Sequence, residues 1–307
     1  MAANINEAAG AHEAFCYPST MPRKKTIAIV GPGNLGSSLA VALGEAGYRI
    51  RELVIRDGSR SRRQAAALAR KLGARLSAIS QATLAAEVTW LCVSDDGIAA
   101  LARQLARRNT WRGQIVLHSS GALSSEVLKP LQRAGAAVGS AHPMMTFVRG
   151  ASPEWRGIPF AVEGDRRAVD FARRVARDLK LEPFVIPASS KVLYHAMGSF
   201  CSPLLITLLA TAEEIARAAK IPPAKISKVM RPILEKTLTN YFDNGAAAAF
   251  SGPMQRGDLA TVERHFENLR RVPGALEIYL PLALQAARRL PVANRAKLLR
   301  LVRKYER

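Results

Sequence analysis

The sequence predicts an α/β protein with a doubly wound, parallel sheet, followed by a second domain made only of helices. Between Lys25 and Pro187, short apolar runs alternate with amphipathic helical patterns, as in parallel sheets that carry helices on both faces. After Ser189 only helical patterns remain. Two domains, residues 23–187 and 188–307, suit a chain of 307 residues, because a single domain rarely exceeds about 250 residues.

The strands are predicted from β-branched apolar runs that end at glycine, proline or polar residues. In chain order they span residues 26–30, 50–55, 88–93, 114–118, 136–140, 159–163 and 183–186. Helical patterns lie between the first five strands, and a basic helix at 165–179 separates the last two. Ligands of such sheets bind beyond the carboxyl ends of the strands, so polar residues at those ends are the first candidates for function.

The second domain is predicted to contain five helices, at residues 190–220, 223–242, 258–270, 274–290 and 294–305. The first carries apolar residues on more than one face between Leu204 and Ala210, which suggests burial in a bundle or against a second subunit. A homodimer formed through this helical domain is our hypothesis. Pro203 lies inside the first helix and predicts a kink, because proline removes a backbone hydrogen bond.

Composition restricts the class of protein. The net charge is +21, but the Arg and Lys residues are spread along helices without interleaved aromatic residues, so we expect no nucleic-acid partner. The basic surface instead suits anionic cofactors and substrates. The five histidines lack the spacing of metal ligands, and the three cysteines show no C-x-x-C pattern, so neither a metal site nor a disulfide framework is predicted.

The location is predicted from what the sequence lacks. No uninterrupted apolar run reaches the about 18–20 residues that span a bilayer, and residues 1–22 do not have the pattern of a signal peptide. We therefore expect a cytoplasmic protein without a membrane partner. Residues 1–22 are predicted to be a disordered N-terminal extension.

The most informative motif is a G-x-G-x-x-G turn, Gly31-Pro-Gly-Asn-Leu-Gly36, between the first strand and the first helix. In this context Gly31 permits a tight turn, Gly33 lets a pyrophosphate approach the backbone, and Gly36 allows close packing of helix on sheet. The helix N-terminus at Asn34 and Leu35 supplies free N–H groups for an anion. The turn predicts a dinucleotide site formed by these residues.

The end of the second strand determines which dinucleotide is expected. Arg56, followed by Ser59 and further arginines, suits the 2′-phosphate of NADP, which a guanidinium can bind in bidentate fashion. Asp57 leaves NAD as the alternative, because a carboxylate at this place can bind the ribose hydroxyls. Ser94, Asp95 and Ser119, at the ends of the next strands, are expected to line the same groove, although Ser94 or Asp95 also suits a helix N-cap.

Candidate acid/base residues follow from the same rule. His118 and His142 each end an apolar strand, where an imidazole can exchange a proton with a substrate. We favour His142 and leave His118 open between a structural and a functional role. Lys191 and His195 lie four residues apart on one helix face. They are the second and third candidates, unless they form an ordinary exposed pair.

Five short runs together resemble one bacterial family. They are Gly31-Pro-Gly-Asn-Leu-Gly36, His118-Ser-Ser-Gly121, His142-Pro-Met-Met-Thr-Phe147, Tyr194-His195-Ala196 and Gly252-Pro-Met-Gln-Arg-Gly-Asp258. The family is that of Rossmann-like proteins whose second half is called domain of unknown function 2520, and the resemblance extends over about residues 25–290. It implies a relationship to pyrroline-5-carboxylate reductase, 6-phosphogluconate dehydrogenase and deazaflavin-dependent NADP reductases. It thus implies NADP binding and a helical dimerisation domain like that of 6-phosphogluconate dehydrogenase.

Two narrower resemblances concern the candidate catalytic residues. His142-Pro143-Met144 is similar to the histidine-proline motif of prephenate dehydrogenases, where the histidine contacts the substrate hydroxyl. Lys191 resembles the catalytic lysine of β-hydroxyacid dehydrogenases, although these have asparagine or aspartate where His195 stands here. Pro203 stands where the DUF2520 family usually has asparagine, and Ser251 where it has threonine.

The expected function is an NADP-dependent oxidoreductase that moves a hydride between nicotinamide and a C=O, C=N or CH–OH carbon of a small anionic metabolite. A prephenate-dehydrogenase-like or pyrroline-5-carboxylate-reductase-like enzyme is a narrower form of this hypothesis. The alternative of a different class is a non-catalytic NADP(H)-binding sensor, which Pro203 favours.

Overall fold

The structure is a computed structural model that describes residues 23–108, 111–148 and 154–306. The predicted N-terminal extension, residues 1–22, lies outside these ranges. The chain divides into two compact units, Met1–Ala196 (unit 1) and Met197–Arg307 (unit 2). The division falls inside a helix, whereas the sequence places the domain boundary near Pro187.

Unit 1 is built on one eight-stranded sheet with the order β3-β2-β1-β4-β5-β6-β7-β8. The strands are β1 (Ile27–Val30), β2 (Ile50–Ile55), β3 (Arg75–Ala78), β4 (Val88–Leu91), β5 (Ile115–His118), β6 (Ala137–Pro143), β7 (Pro159–Gly164) and β8 (Glu182–Val185). This sheet order, with helices between most strands, confirms the predicted doubly wound class. The strand pattern did not predict β3.

The sheet is mostly but not wholly parallel. β6 and β7 are antiparallel, and β7 and β8 are parallel to each other, so the expectation of a fully parallel sheet was wrong for the last two strands. Between β6 and β7 no helix occurs in the described residues. An antiparallel neighbour needs no crossover helix, whereas a parallel one does.

Five helices cover the sheet of unit 1: α1 (Asn34–Glu45), α2 (Arg62–Leu72), α3 (Asp95–Ala106), α4 (Lys129–Arg133) and α5 (Arg166–Asp178). Side chains alternate between the two faces of β1. Ile27 and Ile29 pack into a core with residues of α1 and α5, and Ala28 and Val30 pack into a second core with residues of α3 and α4. Because both faces are buried, the strand reads as a continuous apolar run.

Unit 2 is helical. Its helices are α6 (Lys191–Cys201), which begins in unit 1, α7 (Pro203–Ala218), α8 (Pro223–Ala249), α9 (Pro253–Arg256), α10 (Leu259–Leu269), α11 (Ala275–Arg289) and α12 (Arg295–Tyr305). The predicted kink occurs at Ser202, whose φ of −130° and ψ of −85° are not helical, so that α7 begins at Pro203. Asp258 caps α10 by accepting a hydrogen bond from the Thr261 N–H.

The segment Ala188–Ala218 is long and apolar enough to cross a membrane by length and composition alone. The sequence expectation counted only uninterrupted apolar residues, and it missed this segment because serine, glycine and histidine interrupt it. A single segment of this kind is weak evidence for a membrane helix, and its apolar 18-residue window is 0% buried in the structure.

Candidate functional site

The glycine turn links β1 to α1 as the sequence predicts. Gly31 has a φ of +87°, and an added Cβ would lie 2.8 Å from Val93 Cγ1. An added Cβ at Gly36 would lie 3.0 Å from Cys92 Cβ and against the Gly31 carbonyl. Gly33 is different, because it is exposed and an added Cβ would have no atom within 4 Å. Gly31 and Gly36 are thus required by packing, and Gly33 leaves an open surface beside the turn.

A cavity of about 520 Å³ opens at this turn, a volume within the usual range of small-molecule sites. Its lining begins at Gly31 and Gly33 and reaches Arg56, Ser59 and Ser61 beyond β2. Its other side is formed by the start of α3, with Ser94, Asp96, Gly97 and Leu101. The cavity therefore connects the predicted pyrophosphate turn with the predicted 2′-phosphate residues.

Arg56 and Asp57 differ in what they bind. In the described part of the chain the exposed Arg56 guanidinium has no hydrogen bond or ion pair. The Asp57 carboxylate accepts a hydrogen bond from the Ser80 hydroxyl and does not line the cavity. Of the two residues that distinguish NADP from NAD in the sequence, only the arginine faces the cavity.

Two residues of the predicted cofactor set, Asn34 and Leu35, begin α1. The Asn34 side chain donates to the Phe147 carbonyl at 3.0 Å, which ties the loop after β6 to the glycine turn. Leu35 is half-buried and, like Asn34, does not line the cavity.

Of the predicted cofactor residues at the ends of β4 and β5, one lines the cavity and two bind other side chains of the protein. Ser94 occupies the N-cap position of α3 and lines the cavity. Asp95 accepts a 2.8 Å hydrogen bond from the Ser120 hydroxyl. Ser119 accepts a 2.8 Å hydrogen bond from the Trp90 indole. Asp95 and Ser119 therefore support the walls of the groove, and Ser94 faces the cavity.

A second cluster lies at the end of β6. His142 Nδ1 is 3.1 Å from the Tyr194 hydroxyl, and the two rings meet edge to face with centroids 5.5 Å apart. The ring of the exposed His195 lies 6.2 Å from that of His142. Gly121 lies beneath both imidazoles, because an added Cβ there would be 2.8 Å from His142 Nε2 and 2.6 Å from His195 Cδ2.

Lys191 supports this cluster from inside unit 1. The side chain is only 1% exposed, and its ammonium donates to the Ser120 carbonyl and to the Ser140 hydroxyl, both at 2.7 Å. Burial lowers the pKa of Lys191 to about 8, although the charges of Glu163 and Asp95 act in the other direction. Lys191 thus ties the loop after β5 to β6, and its nitrogen does not reach open space in this structure.

His118 has a structural role. Its Nδ1 accepts from the Ser120 N–H at 3.1 Å, so the proton belongs on Nε2, which donates to the Ser124 carbonyl at 3.2 Å. Burial and the nearby Lys191 charge lower the pKa of His118 to about 4. Both ring nitrogens bond to the turn after β5, which supports the structural one of the two roles that the sequence left open.

The ionisation of the cluster is set mainly by burial. Burial, the charge of Lys191 and the neighbouring His195 and His118 lower the pKa of His142 to about 3. Burial raises the pKa of Tyr194 to about 12. At neutral pH the imidazole and the phenol are therefore both uncharged.

Tyr194 and Gly121 stand in the runs that resemble the DUF2520 family, but the sequence predicted no role for either of them or for Ser140. Tyr194 follows Lys191 by three residues, a spacing that places two side chains on one helix face, and this was the available signal. No sequence pattern marks Ser140 or Gly121. Ser140 binds Lys191, and Gly121 lies against two imidazoles, and these contacts join parts of the chain that are distant in sequence.

A glycine turn and cavity at the carboxyl edge of a mostly parallel sheet, followed by a helical unit, define the dinucleotide-binding class of α/β proteins. Comparison with protein families agrees: residues 17–143 match the Rossmann-like domain and residues 158–286 match the domain of unknown function DUF2520. The chain is a Rossmann-like protein with a C-terminal DUF2520 domain, as its motifs predict. A search of curated proteins finds no match.

Solved structures share the fold. A Bacteroides fragilis protein named as an NADP oxidoreductase is 22% identical, with a TM-score of 0.70 over 85% of this chain and 96% of its own. An imine reductase of Myxococcus stipitatus in complex with NADP⁺ is 18% identical, with a TM-score of 0.63 over 92% and 100%. A reductive aminase of Aspergillus terreus in complex with NADPH and ethyl levulinate is 18% identical, with a TM-score of 0.64 over 92% and 100%.

Proposed function

We propose that this protein is an NADP(H)-dependent oxidoreductase that moves a hydride between the nicotinamide and a C=O, C=N or CH–OH carbon of a small, anionic metabolite. The observation that carries the proposal is the cavity that extends from Gly33 to Arg56. Its glycine end suits a pyrophosphate and its arginine end suits a phosphate on the ribose. The NADP(H) complexes of the imine reductase and the reductive aminase support the same cofactor.

NADP is favoured over NAD because of the contacts at the end of β2. Arg56, Ser59 and Ser61 line the cavity, and a guanidinium and hydroxyls suit a 2′-phosphate. The Asp57 carboxylate, which would suit the ribose hydroxyls of NAD, is bonded to Ser80 instead. When bound, the cofactor supplies or accepts the hydride.

His142 is the residue we propose for proton transfer to or from the substrate. It is half-buried at the end of β6, and Nε2 has no hydrogen-bond partner within residues 23–108, 111–148 and 154–306. His195 lies beside it and is the second candidate. Lys191 supports His142 and His195 indirectly, because its hydrogen bond to the Ser120 carbonyl holds the loop that carries Gly121.

The cofactor assignment is tested with Arg56→Ala. We expect NADPH to bind about 10- to 100-fold more weakly, because a hydrogen bond to a charged group contributes about 1.5–3 kcal/mol. NADH affinity should stay within about twofold, and fluorescence titration measures both. Arg60→Ala is the matched control, because Arg60 is a neighbouring exposed arginine that does not line the cavity. An equal loss for the two cofactors would contradict the assignment.

Turnover distinguishes the enzyme from a non-catalytic NADP(H) sensor. NADPH oxidation is measured with a panel of keto acids, aldehydes and imines, and NADP⁺ reduction with hydroxy acids. An enzyme should turn over at least one class, and a sensor would bind the cofactor and turn over none. A result restricted to hydroxy acids such as prephenate, or to cyclic imines, would select the narrower prephenate-dehydrogenase-like or pyrroline-5-carboxylate-reductase-like activity.

We also propose a homodimer formed through unit 2. Apolar side chains at i, i+4 spacing remain exposed on α7 and α8, including Leu204 at 49%, Ile233 at 68% and Phe242 at 78%. Rows of exposed apolar residues on neighbouring helices are typical of subunit interfaces. A cytoplasmic location and the absence of membrane and nucleic-acid partners stay predictions.

A further inference from the structure

We propose that Tyr194 positions His142 and supplies the proton of the reduction: its hydroxyl donates to Nδ1, so that His142 presents Nε2–H to a substrate carbonyl. The inference rests on the proposed function, because it needs a hydride donor. Tyr194 acts through His142 and is therefore a positioning residue rather than one that contacts the substrate.

The Tyr194 ring is held from two sides. On one side its hydroxyl is 3.1 Å from His142 Nδ1, with the two rings perpendicular. On the other side the Phe184 ring of β8 packs against it with centroids 5.9 Å apart. These contacts give the hydroxyl a fixed direction toward the imidazole.

The proposed direction of the hydrogen bond gives the phenol proton an acceptor. In the described part of the chain, Nδ1 is the acceptor that the Tyr194 hydroxyl has. If Nδ1–H donated instead, the phenol proton would lose this acceptor. A phenol that donates to Nδ1 satisfies its own proton and fixes the other imidazole proton on Nε2.

Nε2 makes no hydrogen bond in the described part of the chain. It faces Gly121, whose missing side chain leaves room for the two imidazoles. The titratable and charged groups around His142 are Tyr194, His195, His118 and the ammonium of Lys191. A nearby carboxylate would raise the pKa of His142, and in the described residues none is among the groups that shift it. The imidazolium form is therefore not stabilised by an anion there.

The proton transfer balances without an imidazolium. A carbonyl carbon accepts the hydride, the C=O π pair moves to oxygen, and that oxygen takes the proton of Nε2. Nδ1 takes the proton of Tyr194, so that the immediate products are the alcohol, the Tyr194 phenolate and the neutral imidazole in its other tautomer. The starting state returns when Nε2 takes a proton from water and Nδ1 gives its proton back to Tyr194.

The charges suit this route. With its pKa lowered to about 3, His142 is a neutral imidazole at pH 7, so the relay starts from the neutral form. A Tyr194 with a pKa of about 12 is still a far stronger acid than the alcohol formed. The Lys191 ammonium lies 5.9 Å from the centre of the Tyr194 ring and favours the transient phenolate.

The first test needs no substrate. Long-range ¹H–¹⁵N NMR spectra of the full chain with labelled histidine show which ring nitrogen of each histidine is protonated, and His142→Gln assigns the signal of His142. We expect wild-type His142 to carry its proton on Nε2 and Tyr194→Phe to give a mixture of tautomers. A wild-type His142 protonated on Nδ1 would overturn the proposal.

The second test uses whichever carbonyl of the panel the wild type reduces. Tyr194→Phe should lower kcat about 100-fold, in line with the usual contribution of a positioned acid, and leave KM and the Kd of NADPH within about twofold. Reduction of a cationic N-alkyl iminium, which needs no acid, should change less than twofold. An unchanged kcat for the carbonyl would overturn the relay.

Tyr279→Phe is the matched control. Tyr279 pairs with His265 in unit 2 in the same way, with its hydroxyl 3.2 Å from Nδ1 and the ring centroids 6.1 Å apart. We expect this variant to keep the wild-type kcat. If no compound of the panel is turned over by the wild type, the proposed function fails, and the tautomer of His142 still shows separately whether the Tyr194 contact exists.

Discussion

At the scale of single residues, His118 and His142 show how two histidines at neighbouring strand ends come to have different partners. The sequence gives both the same setting, an apolar strand that ends at the ligand-binding edge of the sheet. In His118 both ring nitrogens bond to the backbone of the following turn. In His142 one nitrogen bonds to Tyr194 and the other faces Gly121. The difference lies in the partners, which only the fold supplies.

Gly121→Ala tests the placement of His142. An added Cβ would lie 2.8 Å from His142 Nε2 and 2.6 Å from His195 Cδ2, so the imidazoles must move, at a cost of about 1–3 kcal/mol for an overpacked site. We expect turnover to fall at least about tenfold, with NADPH binding unchanged. Steady-state kinetics and NADPH titration measure the two quantities.

The double variant Gly121→Ala/His142→Gln provides the control. If alanine acts by displacing His142, its effect on turnover should largely disappear once His142 is replaced. Fully additive losses in the double-mutant cycle would mean that Gly121 acts independently of His142.

At the scale of elements, the edge of the sheet depends on one buried carboxylate. Glu52 of β2 is 2% exposed and accepts hydrogen bonds from the Ser77 hydroxyl at 2.6 Å, the Leu84 N–H at 2.8 Å and both donors of Thr83. Burial alone would raise the pKa of Glu52, but these hydrogen bonds outweigh it and hold the pKa below its usual value. Glu52 thereby attaches β3 and the segment after it to β2.

Glu52→Gln should lower the free energy of unfolding by about 1–3 kcal/mol at pH 7, the penalty for disrupting a buried hydrogen-bond network. Because the folded pKa of Glu52 is lowered, its stabilisation is present above the unfolded pKa of about 4.5 and is lost as the pH falls through the folded value. Denaturant unfolding from pH 7 down to 3 should thus show the wild type and the variant converging in acid. Glu45→Gln, at an exposed residue of α1, should show no such trend.

The elements also show what the sequence could predict. β2 was predicted with its observed bounds because its β-branched and other apolar residues, interrupted only by Arg51 and Glu52, end at the polar Arg56. The turn at Gly31 was predicted because the spacing of its glycines between a strand and a helix pattern is visible in the sequence. β3 is four residues long with only Ser77 buried, so no apolar pattern marks it. The direction of β7 depends on its pairing with β6, which no local pattern shows. The burial of Lys191 depends on its hydrogen bonds to Ser120 and Ser140, which lie 71 and 51 residues away in the sequence.

At the scale of the whole molecule, the charge of +21 is spread over the surface and suits electrostatic attraction of an anionic cofactor. The same charge opposes association of two copies at low salt. A homodimer of this chain must therefore be held by apolar burial, and it should become tighter as salt screens the repulsion.

This gives the last prediction. We expect light scattering coupled to gel filtration to show a dimer of the wild type at micromolar concentration. Ile233→Glu should produce monomers, because a two-fold interface would bury the new carboxylate twice without a partner. Leu282→Glu is the matched control, since Leu282 is 50% exposed on α11 and is not part of the apolar rows of α7 and α8. A monomeric wild type, or equal dissociation in both variants, would show that these rows do not form the interface. NADPH titration of the same samples would show whether the cofactor site needs the dimer.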